Sequence, residues 1–246
     1  MPKIKRRIDS GSVCEQEVFT VPANKRNLKT AEPRPRFKTE DERERHKIGI
    51  SRRHHTRLMN TNFTPKSFYS TLTLDVEHEA HTYEEARQIR DLYVRRIRHA
   101  NPDAKIMIYI GKGRKSNRFH FHMVSDGLSE KVIRDKWHQA GKVYIEHLRA
   151  HNYYNGVDHG QDYTGLANYL FNHWTPEQGG HRWKATKNMQ KPTKEERSPV
   201  KRNYSPSNPP KAPKGYRLVE CRSNQYGYLN FKYVRDNNNK PVQMKC

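Results

Sequence analysis

The stretch RFHFHMV, residues 118–124, sets two histidines, His120 and His122, two positions apart. On a β-strand alternate side chains share a face. Both imidazoles then project from one side, and Phe119, Phe121 and Met123 from the other. Imidazole is the commonest protein ligand for a divalent transition metal, and an i, i+2 pair on a strand can share one ion. The competing reading is two exposed histidines that merely alternate. Further along, in DYTGLANYLFNH (residues 162–173), Leu166, Tyr169, Leu170 and His173 fall at i, i+3, i+4 and i+7, which predicts a helix with Asp162 near its N-cap. His173 lies one turn beyond Tyr169, where it can orient or deprotonate the phenol. A histidine at a helix end, near the dipole, is the plain alternative. Tyr169 shares the Leu166/Leu170 side and on pattern alone reads as core.

The elements that carry these residues follow from periodicity. SFYSTLTLDVE (67–77) alternates Phe68, Ser70, Leu72 and Leu74 against Tyr69, Thr71 and Thr73, a strand. Thr82 with Glu85 is a capping box, and Ala86, Ile89, Tyr93 and Ile97 mark one face of the helix that follows. AKIMIYIGKG is a second strand, joined through GKGRKSN to the histidine strand as a hairpin. Ser129 caps a second helix, EKVIRDKWHQA, ending at Gly141, and KVYIEHL is a fourth strand. The order β-α-β-β-α-β predicts an α+β fold, a ferredoxin-like (RRM-like) antiparallel sheet with both helices on one face, the histidine face free, and an added tyrosine-bearing helix.

Four segments are expected. Residues 1–62 are polar and highly charged, with little apolar periodicity, and read as a basic, largely irregular arm. The tandem His54-His55 in it reads as solvated or near phosphate. Residues 63–190 form the folded domain. Residues 191–214, rich in Pro, Lys and Ser, read as a linker. Residues 215–246 read as a small hairpin turning near Asn224.

The chain has 246 residues and a formal net charge of +22. Such an excess suits a polyanion, nucleic acid first. No apolar run approaches the roughly 18 residues needed to cross a membrane, and the basic start lacks the apolar region of a secretory signal. Cys14, Cys221 and Cys246 lie far apart, without a CxxC, which suits a reducing compartment and argues against a Cys-based zinc site. A cytoplasmic protein is expected. In the basic stretch HRWKATKNMQKP, Arg182, Trp183 and Lys184 are candidate contacts to a strand of nucleic acid, guanidinium and ammonium on phosphate and indole on a base. The alternative is a solvated basic loop with its tryptophan packed beneath.

Taken in order, three motifs resemble those of the HUH endonucleases, most closely the rolling-circle replication initiators of phages and plasmids: FYSTLTL as an apolar strand with threonines, His120-Phe121-His122 as the paired histidines, and LANYLFNH as the helix bearing a nucleophilic tyrosine at Tyr169. The basic stretch after that helix is also similar. The resemblance covers about residues 63–192. It implies an enzyme that nicks single-stranded DNA at an origin, with His120 and His122 holding Mn²⁺ or Mg²⁺, Tyr169 attacking phosphorus, and a 5′-phosphotyrosine and free 3′-OH as products. Arg118, Arg182, Trp183 and Lys184 would touch DNA, and Thr71 and Thr73 would have no catalytic role. Three departures stand out. The strand before the histidines has no carboxylate, so a third ligand would be Asp162, Asn172, His173 or water. The lysine often found three residues after the tyrosine is Asn172. Tyr163 lies six before Tyr169, about 120° around a helix, which favours a single nucleophile. Expected partners are single-stranded or origin DNA, a separate helicase (no Walker A motif occurs) and a host polymerase, with no membrane and no small-molecule cofactor. The rivals are a single-tyrosine transposase or relaxase of the same superfamily, and a non-catalytic RRM-like binding module.

Overall fold

The computed structural model describes residues 3–21, 39–113, 116–138, 141–173, 183–224 and 227–236. The fold is α+β, with antiparallel sheets and four helices among the described residues. In chain order the elements are β1 (Lys3–Ser10), β2 (Val13–Thr20), α1 (Glu40–Asn62), β3 (Phe68–Thr73), α2 (Tyr83–Ala100), β4 (Lys105–Lys112), β5 (Phe119–Asp126), α3 (Glu130–Asp135) and β6 (Val143–His147). Then come β7 (Tyr153–Tyr154), β8 (Val157–Asp158), α4 (Thr164–Asn172), β9 (Lys184–Ala185), β10 (Thr193–Lys194), β11 (Ser198–Pro199), β12 (Tyr216–Ser223) and β13 (Leu229–Arg235). The chain divides into two compact units. One comprises residues 1–57, 151–162 and 192–246, the other residues 58–150 and 163–191.

The second unit carries the sheet β6-β3-β5-β4-β9. Its first four strands are linked in the order β3-α2-β4-β5-α3-β6. Thr82 caps α2 by accepting from the Glu85 amide at 3.2 Å, while Glu85 Oε2 accepts from the His81 amide at 2.8 Å. Ser129 caps α3 by accepting from the Val132 amide. One sheet face packs Phe68, Leu72, Ile106, Ile108, Ile110, Phe119, Phe121 and Met123 against Tyr93 and Ile97 of α2 and Ile133 of α3. Helix α3 stops at Asp135, short of the expected Gly141, because Trp137 turns into this core and donates its indole N–H to the Thr73 carbonyl at 3.0 Å. The histidine face, expected from the sequence to be free, is partly covered. Met107, Tyr109 and Val124 on that face pack against Tyr163, Ala167 and Leu170 and against Leu58, Met59 and Phe63. Asp162 does not cap α4: its N-cap is Tyr163, whose amide donates to Asn60 Oδ1 at 2.8 Å.

The first unit overturns the reading of residues 1–62 as a largely irregular arm and of 191–214 as a linker. Strands β1 and β2 form a hairpin in a sheet ordered β10-β1-β2-β13-β12, with β11 also on β1. Several of its charges are paired with one another. Arg6 pairs with Glu17, its cross-strand neighbour, and Arg57 bridges Glu15 at 2.5 Å and Glu17 at 2.7 Å. Sequence periodicity misses this because the strands carry charge on both faces. The Pro-rich segment covers Cys14, Val18, Phe231 and Tyr233 with Val200, Tyr204 and Ala212, and Tyr233 Oη donates to the Pro210 carbonyl at 2.6 Å. The hairpin expected near Asn224 is present as β12 and β13. His55 is fully buried rather than solvated. Cys14 and Cys221 are free thiols, and Cys246 lies outside the described residues. No helix among the described residues is long and apolar enough to cross a membrane.

Candidate metal centre

The β5 register places His120 opposite Thr73 on β3 and Gly111 on β4, and His122 opposite Thr71 and Tyr109. Both rings lie on the sheet face away from α2 and α3, as the alternation requires. Their ring centroids are 4.9 Å apart. Gly111 makes room for one of them. A Cβ on residue 111 would lie 2.6 Å from His120 Nε2, so a bare backbone is required beneath that imidazole.

Helix α4 delivers the third imidazole. Its Ala167, Leu170 and Phe171 are buried, which turns Tyr169 outward, and His173 follows at the C-cap. The His173 ring centroid lies 4.7 Å from that of His122 and 5.9 Å from that of His120. One ring nitrogen from each of His120, His122 and His173 lies within 4.8 Å of the other two, so the three form a group that can hold a metal ion.

The support around His122 suits that use. Its Nδ1 lies 2.7 Å from Tyr69 Oη and 3.2 Å from Thr71 Oγ1, both from β3. Its Nε2 is buried and has no hydrogen-bond partner. A buried polar atom without a partner calls for an explanation, and a metal ion is one. With Nδ1–H donated to Tyr69 or Thr71, the Nε2 lone pair is left for a cation, the usual arrangement behind a ligating histidine. Burial, reinforced by the neighbouring His120 and His173, pushes the His122 pKa down to about 3. Burial also lowers that of His120, against a hydrogen bond to the Arg118 backbone that works the other way. Both rings are therefore neutral near pH 7, the form in which imidazole binds metal. Burial raises the Tyr69 pKa, so its phenol keeps its proton.

Tyr169 stands at the rim. It is 50% exposed, its ring centroid 4.3 Å from His173 and 6.0 Å from His122. Tyr163, by contrast, is buried in the core beneath α4.

The other expected site residues fall elsewhere. Asp162 belongs to the first unit, where its Oδ2 is 3.1 Å from Lys232 Nζ and 3.4 Å from His159 Nδ1; it is not part of the imidazole group. Asn172 is exposed. Lys184 is paired with Ile108, on the α2 side of the sheet, and its ammonium is 2.9 Å from Asp91, so it faces away from the histidines. Trp183 is partly buried against the core under α4. Arg118 is held by Glu79 at 3.0 Å and by the Leu74 carbonyl at 2.9 Å. Arg182 lies outside the described residues. Sequence reasoning missed Tyr69, Thr71 and Gly111 as supports. The sequence carries a signal for the first two: they alternate on β3 in step with the histidines on β5. Comparison with protein-family models, with curated proteins and with solved structures finds no match.

Proposed function

We propose that the protein is an HUH-type endonuclease that nicks single-stranded DNA as a rolling-circle replication initiator, with Tyr169 as nucleophile. The observation that carries this reading is the position of an exposed tyrosine one ring away from a cluster of three imidazoles at a sheet face. The sheet, ordered β6-β3-β5-β4 with α2 and α3 on one side, supports a ferredoxin-like reading of the second unit. The net charge of +22 supports a polyanionic substrate.

His120, His122 and His173 would hold the divalent ion. Three nitrogen ligands favour Mn²⁺ over Mg²⁺, which prefers oxygen. A bound divalent cation supplies positive charge beside a phosphate oxygen and a nearby phenol. Tyr169 Oη attacks phosphorus, its proton passes to solvent, the P–O3′ bond breaks and the 3′-oxygen leaves as a hydroxyl after protonation. The strand is then joined through a 5′-phosphotyrosine, and the free 3′-OH can prime synthesis. Phenols ionise near pH 10, so neighbouring positive charge is needed for attack at neutral pH. An imidazole whose lone pair is given to a metal cannot also accept a proton, so His173 acts here as ligand rather than base.

The test is a covalent adduct. The protein and its Tyr169→Phe variant are mixed with pooled single-stranded DNA and Mn²⁺ and run on a denaturing gel. A shifted band that requires both Mn²⁺ and Tyr169 is expected. Its absence with every pool, beside tight chelator-insensitive binding, would favour a non-catalytic binding module.

A further inference from the structure

The imidazoles occupy only part of their sheet face. The edge strand β6 pairs with β3 so that Tyr144 lies opposite Thr71, and the Thr73 amide donates to the Lys142 carbonyl at 3.0 Å. Two rows therefore cross the face: Tyr144–Thr71–His122 and Lys142–Thr73–His120. Val143 and Ile145 pack into the core on the α2 side, which sends Tyr144 to the histidine side. Tyr144 is 59% exposed, and Lys142 is exposed with no partner for its ammonium among the described residues. Two strand spacings, about 10 Å, separate this edge from the histidines. On β3, between the two, the rows carry the short side chains of Thr71 and Thr73.

We infer that Lys142 and Tyr144 form a nucleotide-binding edge for single-stranded DNA, with Tyr144 stacking on a base and Lys142 pairing with a backbone phosphate. An exposed aromatic beside an unpaired cation is the combination that holds single strands without reading sequence. Glu146 is exposed on the same face, opposite Tyr69, and repels phosphate there, so the strand lies toward the Lys142 end of β6. The placement of this nucleotide next to the scissile phosphate rests on the nuclease reading above; the binding edge does not.

The test measures binding of a fluorescein-labelled single-stranded DNA pool to the full chain by anisotropy in EDTA, across a salt series, in parallel with the Mn²⁺ adduct gel. Tyr144→Ala is expected to weaken binding roughly tenfold, the scale of one lost stacking contact, and Tyr144→Phe to bind within about twofold of the parent. Lys142→Gln is expected to weaken binding and to lower the salt slope by about one phosphate. Binding by Tyr144→Ala and Lys142→Gln that matches the parent overturns the inference, whether or not the adduct forms. Tyr144-dependent binding without any adduct supports the binding edge while removing the nuclease reading.

Discussion

Tyr69 Oη lies 2.7 Å from His122 Nδ1, and the two residues come from adjacent antiparallel strands on the same face of the sheet. With Thr71 Oγ1 at 3.2 Å from the same nitrogen, β3 holds the ring plane of the most buried imidazole in the cluster. Tyr69→Phe keeps the ring and removes the hydroxyl. Mn²⁺ affinity, measured by calorimetry, is expected to fall about tenfold, and by up to about a hundredfold when Thr71→Val is added. Affinity unchanged in the double variant would mean that β3 does not orient His122.

Gly111 supports His120 by what it lacks. Its conformation is open to any residue, so Gly111→Ala strains no backbone; the added methyl meets the imidazole at 2.6 Å instead. The ring must rotate off β4. Metal affinity is expected to drop on the scale of about 10–100-fold, with thermal stability nearly unchanged. A stability loss with intact metal binding would place the strain elsewhere.

The third ligand separates two residues that the sequence left side by side as candidates. His173→Ala is expected to weaken Mn²⁺ binding by at least about tenfold while leaving the first unit unaffected. Asp162→Asn should do the reverse. It removes the carboxylate 3.1 Å from the buried Lys232 ammonium, which also lies 3.4 Å from Glu220, and is expected to destabilise the first unit by up to about 3 kcal/mol with Mn²⁺ affinity intact. Calorimetry with Mn²⁺ and denaturant titration distinguish the two.

The histidine face was legible because strands repeat every two residues: one register fixes His120, His122, Thr71 and Thr73 together. Thr82, Glu85 and Ser129 announced the helix starts for an equally local reason. The cover on that face was legible too, in a signal easily passed over. KIMIYI on β4 is apolar at every position but the first, which marks a strand buried on both sides, and Met107 and Tyr109 are the residues that need α4 above them. What no window could show is the first unit. Its strands pair across more than two hundred residues, Leu229 with Val18 and Tyr233 with Cys14, and their charges read as solvated until Glu15, Glu17, Arg6 and Arg57 are brought together. Lys184 failed for a similar reason, since only the pairing with Ile108 decides which face it takes.

His55 gives the first unit a dependence on acid. Burial, with smaller contributions from His54 and Arg52, pushes its pKa down from 6.5 to about 3. The folded state therefore keeps this ring neutral where the unfolded chain protonates it. Its contribution is complete above pH 6.5 and is lost as pH falls toward 3, at roughly 1.4 kcal/mol per pH unit once the unfolded chain is protonated. Denaturant titrations between pH 4 and 8 are expected to show that slope in the parent and a shallower one in His55→Gln. An identical slope in the two would assign acid sensitivity to other groups.

Tyr233 tests whether residues 191–214 are structure or tether. Its ring is buried against Cys14, Val18 and Phe231, and its hydroxyl donates to the Pro210 carbonyl. The Gln16 amide donates to the next carbonyl, that of Lys211, at 3.2 Å. A tether would make neither bond. Tyr233→Phe keeps the ring in the core and leaves a carbonyl without its donor, at a cost of about 1–3 kcal/mol. Because that cost falls on the covering segment, brief trypsin treatment is expected to cut at Lys201, Arg202, Lys211 or Lys214 several times faster in the variant than in the parent. A parent already cut at these sites as fast as an unfolded chain would return the segment to the status of a linker, and with it the expectation drawn from its composition.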